Sequence, residues 1–90
     1  MQDMTEESVP RFEPSMKLLS CIMKVILEKN SIGRTALSVE ANVNYGTLSR
    51  HIEWLQNKSL IELLIKDHKV NVRLSSTGRD FALHLDNFIN

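Results

Sequence analysis

The residues best equipped for recognition chemistry fall in one stretch, Asn44-Tyr45-Gly46-Thr47-Leu48-Ser49-Arg50, with a second group at Lys66, Lys69 and Arg73. Arg50 carries a planar fork of donors that matches guanine O6 and N7, a contact worth about 1–3 kcal/mol of base discrimination. Thr47 offers a hydroxyl to a phosphate or a base edge, and Gly46 lets a backbone approach closely. Asn44 suits a helix N-cap, its side-chain oxygen accepting an N–H of the following turn; a phosphate contact is its secondary role. Tyr45 and His51 stand at the edges of a buried face, and each has a packing role and a phosphate contact as its alternatives. Lys66, Lys69 and Arg73 suit backbone contacts that position a module without reading sequence, against the plainer reading of a solvated hairpin tip. Arg34 is the remaining candidate, able to reach the opposite phosphate backbone. This is the chemistry of gripping a polyanion.

Bond-making chemistry finds no comparable set. The chain has no glycine-rich phosphate loop, no HExxH pattern and no cysteine pair. His51, His68 and His84 lack metal-ligand spacing. Ser49 and His51, two apart on a helix, point in different directions and make a poor nucleophile–base pair. The expectation is a non-enzyme with no cofactor and no bound metal. Cys21, the single cysteine, excludes an internal disulfide and, within an apolar run, reads as an inert core thiol.

Charge sharpens the picture. The 11 Lys and Arg residues balance the 11 Asp and Glu residues, and neutrality speaks against a strong polyanion binder. The balance is uneven along the chain, however. Residues 1–30 hold five acids and four bases, whereas residues 34–79 hold seven bases against four acids. A local excess of that size makes a light, salt-sensitive footprint on one face. Ninety residues suffice for one domain with a modest core. No stretch reaches the ~18 apolar residues of a membrane span, and the polar first 15 residues do not resemble a signal peptide. A cytoplasmic protein without membrane contact is expected.

The elements that must position these side chains follow from periodicity. Residues 1–13, acidic and proline-bearing, read as a flexible arm before a domain over 14–90. A helix is predicted from Pro14, as a first-turn residue, to Lys29. Its apolar positions (Met16, Leu18, Leu19, Ile22, Met23, Val25, Ile26, Leu27) exceed a single stripe. Either the helix is buried on several sides, or part of it packs on a second subunit. A short helix over 34–41 and a turn over 42–44 precede a helix over 45–57, in which Leu48, Ile52 and Leu55 form the buried stripe. That spacing turns Gly46, Arg50, Glu53 and Asn57 outward, with Thr47 and Trp54 on a flank. Residues 60–66 and 70–75 read as strands around an Asp67-His68-Lys69 tip, and Ser75 or Ser76 caps a last helix to Ile89 with Phe81, Ala82, Leu85, Phe88 and Ile89 inward. The order is that of an α+β winged helix-turn-helix: a three-helix core, a β-hairpin wing and a C-terminal helix.

The run from Ala41 to Ile61, with its capping turn, tyrosine and paired apolar positions, resembles the recognition helix of small ArnR-like archaeal winged-helix regulators and, more broadly, of MarR and ArsR relatives. In it, Ser59 stands where those proteins usually carry glycine. Leu74-Ser75-Ser76-Thr77-Gly78-Arg79 is similar to their junction between wing and final helix. The resemblance implies a transcriptional regulator that binds double-stranded DNA as a homodimer through the helices 14–29 and 76–89. The alternative is a winged helix serving as a protein–protein adaptor, which neutrality, the outward Glu53 and an exposed Trp54 would favour.

Overall fold

The computed structural model describes residues 12–89, with side-chain surroundings through Leu85. Most of the expected arm, residues 1–11, lies outside the described residues, as do the side chains of Phe88 and Ile89. Helix α1, Met16–Lys29, starts two residues later than the predicted start at Pro14, because Ser15 supplies what a cap needs: extended backbone and a side-chain oxygen 3.2 Å from the amide nitrogen of Leu18. Leu19, Ile22, Met23 and Ile26 are buried completely, the i, i+3, i+4, i+7 pattern of one helical face. Leu18, Val25 and Leu27 pack partly against the same core, so much of the apolar surplus of α1 is absorbed within the chain. Cys21 is exposed, which corrects the expected core thiol. Two residues beyond Leu19, it sits about 200° around the helix from that residue and so lies off the buried stripe.

A strand the sequence does not announce, β1 (Ile32–Gly33), follows α1. Two residues are too few to show an alternation. Helix α2 (Arg34–Ala41) ends at Asn42 in the left-handed conformation, φ 56° and ψ 49°, its N–H returned to the carbonyls of Ser38 and Val39. The Ser38 hydroxyl donates to the Val43 carbonyl at 2.6 Å, and Val43 is buried. This fixes the turn into α3 (Tyr45–Asn57), whose buried residues are Leu48, His51, Ile52 and Leu55.

Strands β2 (Ile61–Lys66) and β3 (Lys69–Leu74) form the wing, and β1 joins them in an antiparallel sheet of order β1-β3-β2. Ile32 lies opposite Val72, and Val72 opposite Leu63. The tip is tighter than expected. Asp67 and His68 alone make the turn, with φ of 52° and 65°, the doubly left-handed form whose twist matches the strands it joins. Lys69 therefore lies opposite Lys66 within the ladder. Helix α4 (Ser76–Ile89) packs along α1 and buries Ala82 and Leu85.

The end of α3, both roots of the wing and the start of α4 meet at one junction. The Leu60 carbonyl accepts from the Ser75 N–H at 3.0 Å. The Ser75 hydroxyl donates to the Ser59 carbonyl at 2.8 Å and accepts from the Gly78 N–H at 2.9 Å. Gly78 lies so close to Leu60 that a Cβ there would overlap the carbonyl of Leu60. Ser59 adopts φ 61°, a left-handed conformation that glycine adopts without steric cost. Two outcomes are expected in urea denaturation. Ser59→Gly stabilises the fold by about 0.5–1 kcal/mol, and no gain would remove the strain assigned to Ser59. Gly78→Ala destabilises it by at least about 2 kcal/mol; an unchanged midpoint would show that the α4–β2 crossing yields easily.

Candidate nucleic-acid interface

The front of α3 is built by its cap. Asn44 accepts from the N–H groups of Gly46 and Thr47, at 2.8 and 3.2 Å through Oδ1. A Cβ on Gly46 would stand 3.2 Å from that same oxygen, so glycine at 46 serves the cap as well as leaving the helix front open. Asn44 is thus committed to its capping role. Arg50 and Glu53 are exposed, as the buried stripe of α3 requires, and Arg50 has no salt-bridge partner among the described residues. Thr47 is half-buried, and its carbonyl is engaged by His51.

His51 is the residue that anchors this helix sideways. It is 3% exposed, which settles its packing alternative in favour of burial. Its Nδ1 lies 2.8 Å from the Thr47 carbonyl and its Nε2 lies 3.1 Å from the Ser15 nitrogen. The second contact is a donation from a backbone N–H, so Nε2 is the acceptor and the proton resides on Nδ1. The Phe12 ring stands edge-on to the imidazole, with centroids 5.1 Å apart. One side chain therefore ties the segment entering α1 to the flank of α3. Sequence spacing placed His51 at the edge of the buried face but gave no signal of its long-range partner.

Trp54 packs partly against the core, with Lys58 Nζ 5.5 Å from its ring centroid. It is not the bare indole that an adaptor surface would show. Tyr45, in contrast, is 49% exposed, outside the core that one of its readings required. It faces a groove of about 1010 Å³ between the start of α2 and the wing, shared with Arg34, Val39, Leu63, Lys69 and Val70. The Arg34 Nε is buried and has no hydrogen-bond partner among the described residues.

The wing has two chemical faces. Opposed residues of an antiparallel pair share a face, so Glu62 and Arg73, Leu64 and Asn71, and Lys66 and Lys69 line one side. Arg73 Nε is held 2.8 Å from Glu62 Oε1, both side chains being about half-exposed. The expected wing cations thus divide. Arg73 is neutralised locally, while Lys66 and Lys69 stand together, a like-charged pair whose repulsion an anion relieves. On the opposite side, Ile65 and Val70 extend past the core, with Ile65 81% exposed. The nine candidate residues consequently form two groups. Gly46, Thr47 and Arg50 lie along α3 with Asn44 behind them, and Arg34, Tyr45 and Lys69 line the groove towards Lys66 and Arg73.

No family model and no curated protein matches this sequence. Solved structures do share its fold. Sso10a-2, a DNA-binding protein from Sulfolobus solfataricus, superposes with a TM-score of 0.74 at 16% identity, over 86% of this chain and 79% of that one. A MarR-family transcriptional regulator from Silicibacter pomeroyi gives 0.70 at 25% identity, over 80% of this chain and 49% of its own. The oxidised form of MarR from E. coli gives 0.71 at 23% identity, covering 77% and 51%. The chain spans about half the length of these MarR proteins. In the order and packing of its elements it is a winged helix-turn-helix that resembles the MarR and Sso10a proteins.

Proposed function

We propose that this chain is a cytoplasmic transcriptional regulator that binds double-stranded DNA in a sequence-dependent manner. The observation that carries the reading is the exposed front of α3. Asn44 caps it, His51 braces it, and Gly46 and Arg50 face solvent, with Arg50 unpaired among the described residues. A helix so presented enters a major groove by its N-terminal half. Arg50 then reads a guanine edge, and Thr47 meets a phosphate or a base edge. Lys66 and Lys69 at the wing tip, with Arg34, bind the flanking phosphates. Glu53, one turn further along α3, keeps the back of the helix away from the backbone. None of the described helices is long and apolar enough to cross a membrane.

The adaptor reading retains one specific support, the apolar groove beside Tyr45. Duplex binding measured against salt separates the two. Arg50→Ala is expected to flatten the preference among duplex sequences, at a cost of about 1–3 kcal/mol on the preferred one. Lys69→Ala weakens all duplexes alike and lowers the salt slope by about one. If the wild type binds no duplex at low salt, and neutralising the acidic residues 3, 6 and 7 does not restore binding, the DNA reading is wrong.

Such a module is proposed to work as a homodimer through α1 and α4. Leu83 is exposed, and with Leu27 it lines a small cleft of about 140 Å³ between these two helices. Light scattering is expected to report about twice the 10.3 kDa chain mass, and Leu83→Glu to return the mass to that of one chain. A wild-type monomer at high concentration would refute the pairing.

A further inference from the structure

The groove between the start of α2 and the wing is apolar in its walls and cationic at its rim. Val39, Tyr45, Leu63 and Val70 border it and remain exposed, Val39 by 74%. Among the described residues, Arg34 and Lys69 are its charged ones, and no carboxylate lines it. Gly33, as the N-cap of α2, offers no side-chain acceptor to the first N–H groups of that helix, and Arg34 Nε is buried without a partner among the described residues. A phosphate backbone answers the charges but leaves the apolar walls uncovered. The occupant that answers both is a segment carrying carboxylates and aliphatic side chains together.

The chain contains such a segment. Residues 1–11 carry Asp3, Glu6 and Glu7 against Arg11, with Met4 and Val9 among them. Their exit point is fixed on the recognition helix itself, since Phe12 packs on His51 and the Ser15 N–H donates to it. Eleven residues reach at most about 36–40 Å, whereas a helix with its side chains is about 10–12 Å across. The segment can therefore pass over the exposed front of α3, beside Arg50, and enter the groove on the far side. We propose that residues 1–11 dock in this groove within the same chain and compete with DNA for Arg50, Lys69 and Arg34. The docking contact stands apart from the DNA reading; only the competition rests on it.

Docking is tested in the full-length chain, with Cys21→Ser removing the exposed native thiol and a spin label on Met4→Cys. Amide signals of Thr35, Ala36, Val39 and Val70 are expected to broaden selectively, and adding Asp3→Asn, Glu6→Gln and Glu7→Gln should abolish that broadening. Uniform broadening, or none, overturns the proposal. So does broadening seen only when labelled chains are mixed with separate isotope-enriched chains, which assigns the groove to another copy. Competition is tested with the triple neutral variant carrying native Met4 and Cys21. A tethered segment has an effective concentration of order millimolar, so weak docking implies roughly two- to tenfold tighter duplex binding once it is neutralised. Selective broadening together with equal duplex affinities overturns the competition. If neither form binds duplex while the broadening persists, the DNA reading fails and the docking contact stands.

Discussion

The hydrogen-bonded junction of Ser59, Leu60, Ser75 and Gly78 is the constraint on which the arrangement of α3, the wing and α4 depends. Four elements change direction there within a few residues. The Leu60 N–H returns to the Leu55 carbonyl at 2.9 Å, ending α3, while the Leu60 carbonyl holds the far root of the wing through Ser75. The Ser75 hydroxyl then bonds both the Ser59 carbonyl and the Gly78 N–H. The angle between α3 and the wing is thereby set by short backbone contacts rather than by side-chain packing alone. A contact that close leaves no room for a Cβ at residue 78, which is why a glycine is found inside the first turn of a helix.

From this junction outward, burial decreases and chemistry takes over. Ile61, Val72 and Leu74 are sealed into the core with α1, whereas Leu63, Ile65 and Val70 continue the same face of the sheet into solvent. The wing is thus an extension of a core-facing surface beyond the core that would cover it. Its other face alternates a satisfied ion pair, Glu62–Arg73, with an unsatisfied like-charge pair, Lys66–Lys69. A surface ion pair contributes little to stability, but here it gives Arg73 a competing carboxylate that Lys66 and Lys69 lack in the ladder. Counting bases along the sequence gives Arg73 and Lys69 equal weight; the register separates them.

The helices, the hairpin and the cap at Asn44 were legible because each rests on a local signal: an i, i+4 stripe, an alternation, or an Asn one residue before a helix. What escaped rests on contacts far apart in sequence. Strand β1 exists because β3 offers it a partner, not because two residues declare a strand. The role of His51 depends on Ser15, 36 residues away. The tip turn is one residue shorter than its sequence suggests, since Asp67 and His68 adopt left-handed backbone without the glycine that usually signals it. Cys21 is exposed although its sequence neighbours are apolar, because an apolar neighbourhood does not say which side of the helix a residue occupies. Among the candidate site residues, outward direction was predictable for Gly46 and Arg50, but pairing was not, as Arg73 shows.

Net neutrality, which taken alone argues against a polyanion partner, has a structural reading. The neutral sum combines a basic excess of seven against four over residues 34–79 with acids concentrated outside that span. Charges of opposite sign on separate segments do not cancel at a surface; over distances beyond a screening length of about 8–10 Å they act independently. A phosphate approaching the front of α3 meets Arg50 before it senses the total. The total matters only if the acidic segment is brought to the same face, and the Phe12–His51 contact starts that segment from the flank of α3. The net charge of a small domain therefore constrains its partner only after the fold has fixed which charges share a face. For this chain, the residue that ties the segment entering α1 to α3 is His51, buried on the flank of that helix.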